Sequence, residues 1–107
     1  MEKVYNKLVR DNIPNIIEKN NGKPNIRILD NQEFKLELEK KLKEEYNEVI
    51  ESTGLDRVEE LADMLEVISS LARLENATLE DVMRVKEEKK TKRGGFDKMI
   101  YLESVEE

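Results

Sequence analysis

The sequence predicts an all-α fold: an antiparallel hairpin of two long helices, completed by further helices into an oligomeric bundle. Three observations lead there. Two long stretches carry apolar residues at helical spacing, and they are separated only by a tight turn near Thr53-Gly54. Charged residues make up 41% of the chain and hydrophobic ones 37%, a mix that suits exposed helices better than a sheet core. The second long stretch is apolar over an arc wider than the single stripe a surface helix needs.

The elements follow in order. The opening YNKLVRDNIPNIIEKN predicts a short helix, with Asp11 as N-cap and Pro14 in the first turn. NNGKPN, residues 20–25, is a turn-rich break. Ile26-Arg27-Ile28-Leu29 is a short strand candidate. The first long helix runs through LDNQEFKLELEKKLKEEYNEVIES, opened by a capping box of Asp30 and Glu33 and stopped near Thr53-Gly54, with Gly54 as the left-handed terminator. Asp56 and Glu59 repeat the capping pattern for the second, which ends around Glu75-Asn76. Its apolar residues are Val58, Leu61, Met64, Leu65, Val67, Ile68, Leu71, Ala72 and Leu74, and they imply burial on two sides, hence a homo-oligomer with this helix central. Thr78 and Asp81 open TLEDVMRVKEEKKTKR, and Gly94-Gly95 ends it. Residues 98–102 alternate weakly and are expected to pair with 26–29 as a two-stranded ribbon, held by helices packed on it.

At 107 residues the chain is expected to be one domain, residues 1–107, with a modest core that a partner subunit would enlarge. The net charge of −6 argues against binding a nucleic-acid polymer, which requires a basic surface. There is no Cys and no His, which removes disulfides, thiolate nucleophiles, imidazole bases and His- or Cys-based metal sites. Acid–base or metal chemistry falls to Asp, Glu, Lys, Arg, Tyr and Ser/Thr. The opening MEKVYNKLVRDN lacks the apolar run of a signal peptide, and no stretch reaches the length of a membrane span. A cytoplasmic protein with no membrane partner is the expectation.

The chemistry is concentrated in carboxylates that intrude on apolar arcs. At 100° per residue, Glu45 falls on the side of Leu38, Leu42, Tyr46 and Val49, with Glu48 at the edge of that arc. On the next helix Glu60 falls between Val67 and Leu71, and Asp63 beside Leu74. Each pair is spaced i, i+3, so both members face one way. Either pair alone is commonly a solvated helix face; two pairs on facing helices aim four carboxylates into one pocket. Such a cluster repels itself and calls for a counter-charge. An all-oxygen donor set favours Mg²⁺, with Mn²⁺ as the alternative, over zinc or copper.

The third long element ends on cations. Lys86, Lys89, Lys90, Lys92 and Arg93 crowd its last turns before Gly94-Gly95-Phe96. Cations there suit the helix dipole. They also suit a phosphate clamp, in which glycines allow close backbone approach. Lys7 and Arg10 add positive charge near the start. Tyr5, Tyr46 and Phe96 are the candidates for stacking on a base.

Glu45-x-x-Glu48 followed by Glu60-x-x-Asp63 resembles the ExxE…ExxD signature of the all-α nucleoside triphosphate pyrophosphohydrolases, the MazG-like superfamily. The opening Tyr5-Asn6-Lys7-Leu8-Val9-Arg10-Asp11-Asn12-Ile13-Pro14 and the ending Arg93-Gly94-Gly95-Phe96 resemble its phosphoribosyl-ATP pyrophosphohydrolase-like subgroup. The resemblance spans nearly the whole chain. It implies Mg²⁺-dependent cleavage between the α- and β-phosphates of a nucleotide, giving the monophosphate and pyrophosphate. It implies Glu45, Glu48, Glu60 and Asp63 as metal ligands and either Glu45 or Glu48 as the catalytic base for water. Lys89, Lys92, Arg93, Gly94, Gly95, Lys7 and Arg10 would meet the substrate phosphates. It also implies a homodimer or dimer of dimers, in a house-cleaning or a phosphoribosyl-ATP-like role. Two other readings compete: a non-catalytic helical module for oligomerisation or partner binding, and a nucleotide sensor on the same fold.

Overall fold

The computed structural model describes residues 1–106. They form four helices and no strand: α1 (Ile13–Lys19), α2 (Asn31–Glu51), α3 (Gly54–Leu74) and α4 (Leu79–Arg93). The all-α expectation and the central hairpin both stand. Residues 26–29 and 98–102, the two segments of the expected ribbon, are irregular in the single chain. Among the described residues no helix is long and apolar enough to cross a membrane.

Local chemistry explains most of the boundaries. The Asp30 carboxylate accepts from the Glu33 amide at 2.9 Å, so α2 is capped as expected. The return half of that capping box is absent. Glu33 turns instead to Arg27, which donates to both its oxygens at 3.2 and 2.7 Å and fixes the chain entering the helix. At α4 the box is complete: Thr78 Oγ1 accepts from the Asp81 amide at 3.1 Å, and Asp81 accepts from the Thr78 amide at 2.8 Å. Gly94, at φ 83°, ends α4 in a backbone conformation few other residues adopt.

Two expected caps move. Asp11 does not cap α1; Asn12 occupies that position and makes no side-chain cap bond. The turn in which the Ile13 amide donates to the Arg10 carbonyl (3.0 Å) sets the helix start one residue later, with Pro14 in the first turn. Asp56 does not cap α3 either. Ser52 and Thr53 are extended, Gly54 turns the chain at φ 61°, and α3 begins there, leaving Asp56 as an acid in its first turn. So short a connection makes α2 and α3 antiparallel neighbours.

The core lies between those two helices. Leu38 of α2 and Val67 and Ala72 of α3 are its buried apolar residues. Met64, Ile68 and Leu71 are half-buried, while Val58, Leu61, Leu65 and Leu74 remain exposed. Within one chain, therefore, only one side of the wide α3 arc is covered. Helix α4 touches only α3 among the other helices and buries no residue.

Candidate metal centre

The hairpin brings acidic groups together where the helical spacing puts them. Glu45 comes from the middle of α2, and Glu60 and Asp63 from the first half of α3. These three each present a carboxylate oxygen within 4.8 Å of the others. Glu48 stands outside that trio and is exposed, and its charge acts on Glu60.

Burial matters most at Glu45, which is 8% exposed in the apolar seam beside Leu38. Its carboxyl pKa is raised, first by loss of water and then by the charges of Asp63, Glu44 and Glu48; Lys41 partly offsets this. Glu60 is also raised. Desolvation is again the leading cause, followed by the charges of Glu48, Asp63 and Glu45. Both shifts go in the direction expected of carboxylates drawn close together and out of water.

The donors fit a hard divalent ion. Oxygens around Mg²⁺ sit at about 2.1 Å from it, so neighbouring ligands lie roughly 3 to 4 Å apart. The trio is close to that spacing, and all its ligand atoms are oxygens. No nitrogen or sulfur donor is present to favour zinc or copper.

The segment before α1 crosses the cluster and supplies cations. Arg10 Nη2 donates to Asp63 Oδ1 at 2.7 Å, and Lys7 Nζ reaches Glu44 at 3.5 Å. Lys41, one turn before Glu45 on α2, lies 3.4 Å from Glu44 and 3.6 Å from Glu45. Two adjoining grooves open here, of about 430 and 280 Å³, with Arg10, Lys41, Glu45 and Asp63 lining both. The larger runs past Phe34, Leu38 and Val67 to Arg73, whose guanidinium donates to Ser69 and Ser70 Oγ at 3.3 and 3.0 Å. The groove thus combines acidic, apolar and cationic side chains.

Of the cations expected to meet phosphate, Lys7 and Arg10 are at the site. Lys89, Lys92, Arg93, Gly94 and Gly95 line neither groove in the single chain. Tyr5, Tyr46 and Phe96 line neither; Tyr5 instead lies under Lys3 and Lys7, whose Nζ atoms are 5.2 and 5.8 Å from its ring centre. The aromatic side chain in the larger groove is Phe34, which was not among the stacking candidates. Lys41 had a signal, its i, i+4 spacing to Glu45. Arg73 had none, because its place depends on how the hairpin packs. No protein-family model, curated protein or solved structure matches the chain.

Proposed function

We propose that this chain is a divalent-metal-dependent nucleotide pyrophosphohydrolase of the MazG-like kind. It hydrolyses the anhydride between the α- and β-phosphates of a nucleoside triphosphate or a phosphoribosyl-ATP-like nucleotide. Water adds to one phosphorus, the bridging P–O bond breaks, and the products are the monophosphate and pyrophosphate. The single observation that carries this reading is the convergence of Glu45, Glu60 and Asp63 within 4.8 Å, beside a groove that also holds cations.

Glu45, Glu60 and Asp63 are the metal ligands in this proposal, with Glu48, one turn beyond Glu45 on α2, as the fourth. A bound Mg²⁺ supplies a lowered pKa for coordinated water and neutralises charge on the phosphates. Glu45, the most buried of these carboxylates and one with a raised pKa, accepts the proton of the attacking water in this proposal, and Glu48 is the other candidate base. Lys7, Lys41 and Arg10 screen the phosphates in the neighbouring groove. Phe34, Leu38 and Val67 offer the apolar wall for the rest of the nucleotide.

The same reading includes self-association into a homodimer or a dimer of dimers, completing a helical bundle around α3. Pairing of 26–29 with 98–102 belongs to that assembled form. The protein is proposed to act in the cytoplasm, on a soluble nucleotide.

The test is pyrophosphate release across ribo-, deoxy- and modified nucleoside triphosphates and phosphoribosyl-ATP, with Mg²⁺, Mn²⁺ or EDTA. Metal-dependent release that is lost in Asp63→Asn supports the reading. No release from any substrate by folded protein refutes it. The second reading, a non-catalytic helical binding module, draws on the exposed apolar side of α3 and is what remains after that outcome.

A further inference from the structure

The chain exposes far more surface than one of its mass requires. A compact 12.6-kDa monomer shows about 6,200 Å² of accessible surface; this chain shows 10126 Å². Its radius of gyration is 18.4 Å, against about 13 Å for a compact domain of this length. The molecule extends 63 Å along its longest axis but only 33 and 24 Å along the others.

The surplus is concentrated in two places. The first is the α4 half of the chain. Helix α4 has no buried residue, and Val82, Met83 and Val85 are exposed on it. An isolated helix of this length is marginal in water, since most helices are held by a packed apolar face. After α4 come Phe96, Met99, Ile100, Tyr101, Leu102 and Val105, each at least 67% exposed. The second place is α3, where Leu55, Val58, Leu61 and Leu65 form an open stripe at i, i+3, i+6 and i+10, flanked by the acids Asp56, Glu59 and Glu66.

We propose that α4 and residues 94–106 form an arm that packs on the Leu55–Val58–Leu61–Leu65 stripe of a second copy of this chain. A second copy is the occupant because each chain has the area to spare. The surplus is about 3,900 Å² per chain, which exceeds the roughly 1,000 to 2,500 Å² per partner that an obligate homodimer buries. A reciprocal exchange covers both stripes with both arms under one two-fold axis. Charge agrees: Lys86, Lys89, Lys90, Lys92 and Arg93 of the arm would meet the acids beside the stripe. The arm does not serve its own stripe in this chain: α4 buries no residue, and Leu55, Val58, Leu61 and Leu65 are left exposed. The proposal rests on the self-association described above and is independent of the catalytic reading.

The experiment is photo-crosslinking of the full chain with p-benzoylphenylalanine in place of Phe96, in an equal mixture of ¹⁵N-labelled and unlabelled protein. The expected product is a crosslink joining labelled to unlabelled chain, with its attachment site in α3 between Leu55 and Leu65. A crosslink confined to one chain, or one between chains that attaches elsewhere, overturns the arm. Sedimentation equilibrium of the unmodified chain and of Ile100→Ser/Leu102→Ser runs beside it. Dimer for the first and at least a tenfold weaker dimer for the second are expected. A monomer for the unmodified chain overturns self-association as well, whereas an unaffected dimer in the variant overturns the arm alone.

Discussion

The α2–α3 hairpin and the α4 half of the chain are built from similar material and end in opposite conditions. Both are helical, highly charged and opened by acid-based or hydroxyl-based caps. The hairpin buries Leu38, Val67 and Ala72, and with them one side of a carboxylate cluster. Helix α4 buries nothing. A good cap and good helix formers set where a helix starts; what it packs against determines whether it is held. The hairpin therefore presents a site ordered within one chain, and the α4 half presents a surface that asks for another.

The comparison can be broken most forcefully at the cluster. Asp63→Asn or Glu45→Gln is expected to cut metal-dependent pyrophosphate release by about 100-fold or more, the scale of losing several kcal/mol of charge stabilisation. Both variants should keep the helical circular dichroism spectrum. Full activity in both would leave the cluster without its proposed role.

The core gives the next largest effect. Leu38→Ala is expected to cost about 2 to 5 kcal/mol in a denaturant titration, because it empties the seam between α2 and α3. A change of that size in the hairpin, set against near-neutral single changes on the exposed face of α4, would sharpen the contrast between the two halves.

A pH experiment isolates the buried carboxylate. Glu45 has a raised pKa in the folded chain, so the folded state holds a proton that the unfolded state gives up. Without metal, stability is therefore greatest below the ordinary Glu range and falls as pH rises from that range through the raised value. Glu45→Gln should flatten this dependence and raise the melting temperature at neutral pH. Melting curves in EDTA across pH 4 to 8, an interval spanning about the ordinary range of a Glu pKa and neutrality, measure both. A wild-type chain that gains stability across that interval, with no difference in the variant, contradicts the assignment.

The smallest effects concern surface partners. Arg10 and Asp63 are both substantially exposed, so their 2.7 Å pair is worth under about 1 kcal/mol. In Arg10→Gln the cation no longer competes for Asp63, and Mg²⁺ should bind about two- to fivefold more tightly by calorimetry. Thr78→Ala removes one arm of the α4 capping box and should cost about 1 kcal/mol.

The fold was largely legible because helical periodicity and caps act over three or four residues. Glu45, Glu60 and Asp63 could be paired in advance since each lies on a predicted apolar arc, and the short Ser52–Gly54 connection forces the two arcs to face each other. Arg10 could not be placed that way. It reaches Asp63 across 53 positions of sequence, through a segment with no periodicity of its own. Arg73 and Phe34 share that difficulty, for their roles depend on which side of the hairpin opens into a groove. The cations of α4 illustrate the reverse. Their pattern is plain in the sequence, yet within one chain they stand apart from the acidic cluster.

Mn²⁺ titration followed by electron paramagnetic resonance tests the central claim most directly, since free Mn²⁺ gives a sharp signal that binding removes. Saturable loss of that signal by the wild-type chain, competition by Mg²⁺, and at least tenfold weaker binding in both Glu45→Gln and Asp63→Asn are expected. Equal binding by the wild type and both variants, or none by any of them, would contradict a metal centre on the α2–α3 hairpin.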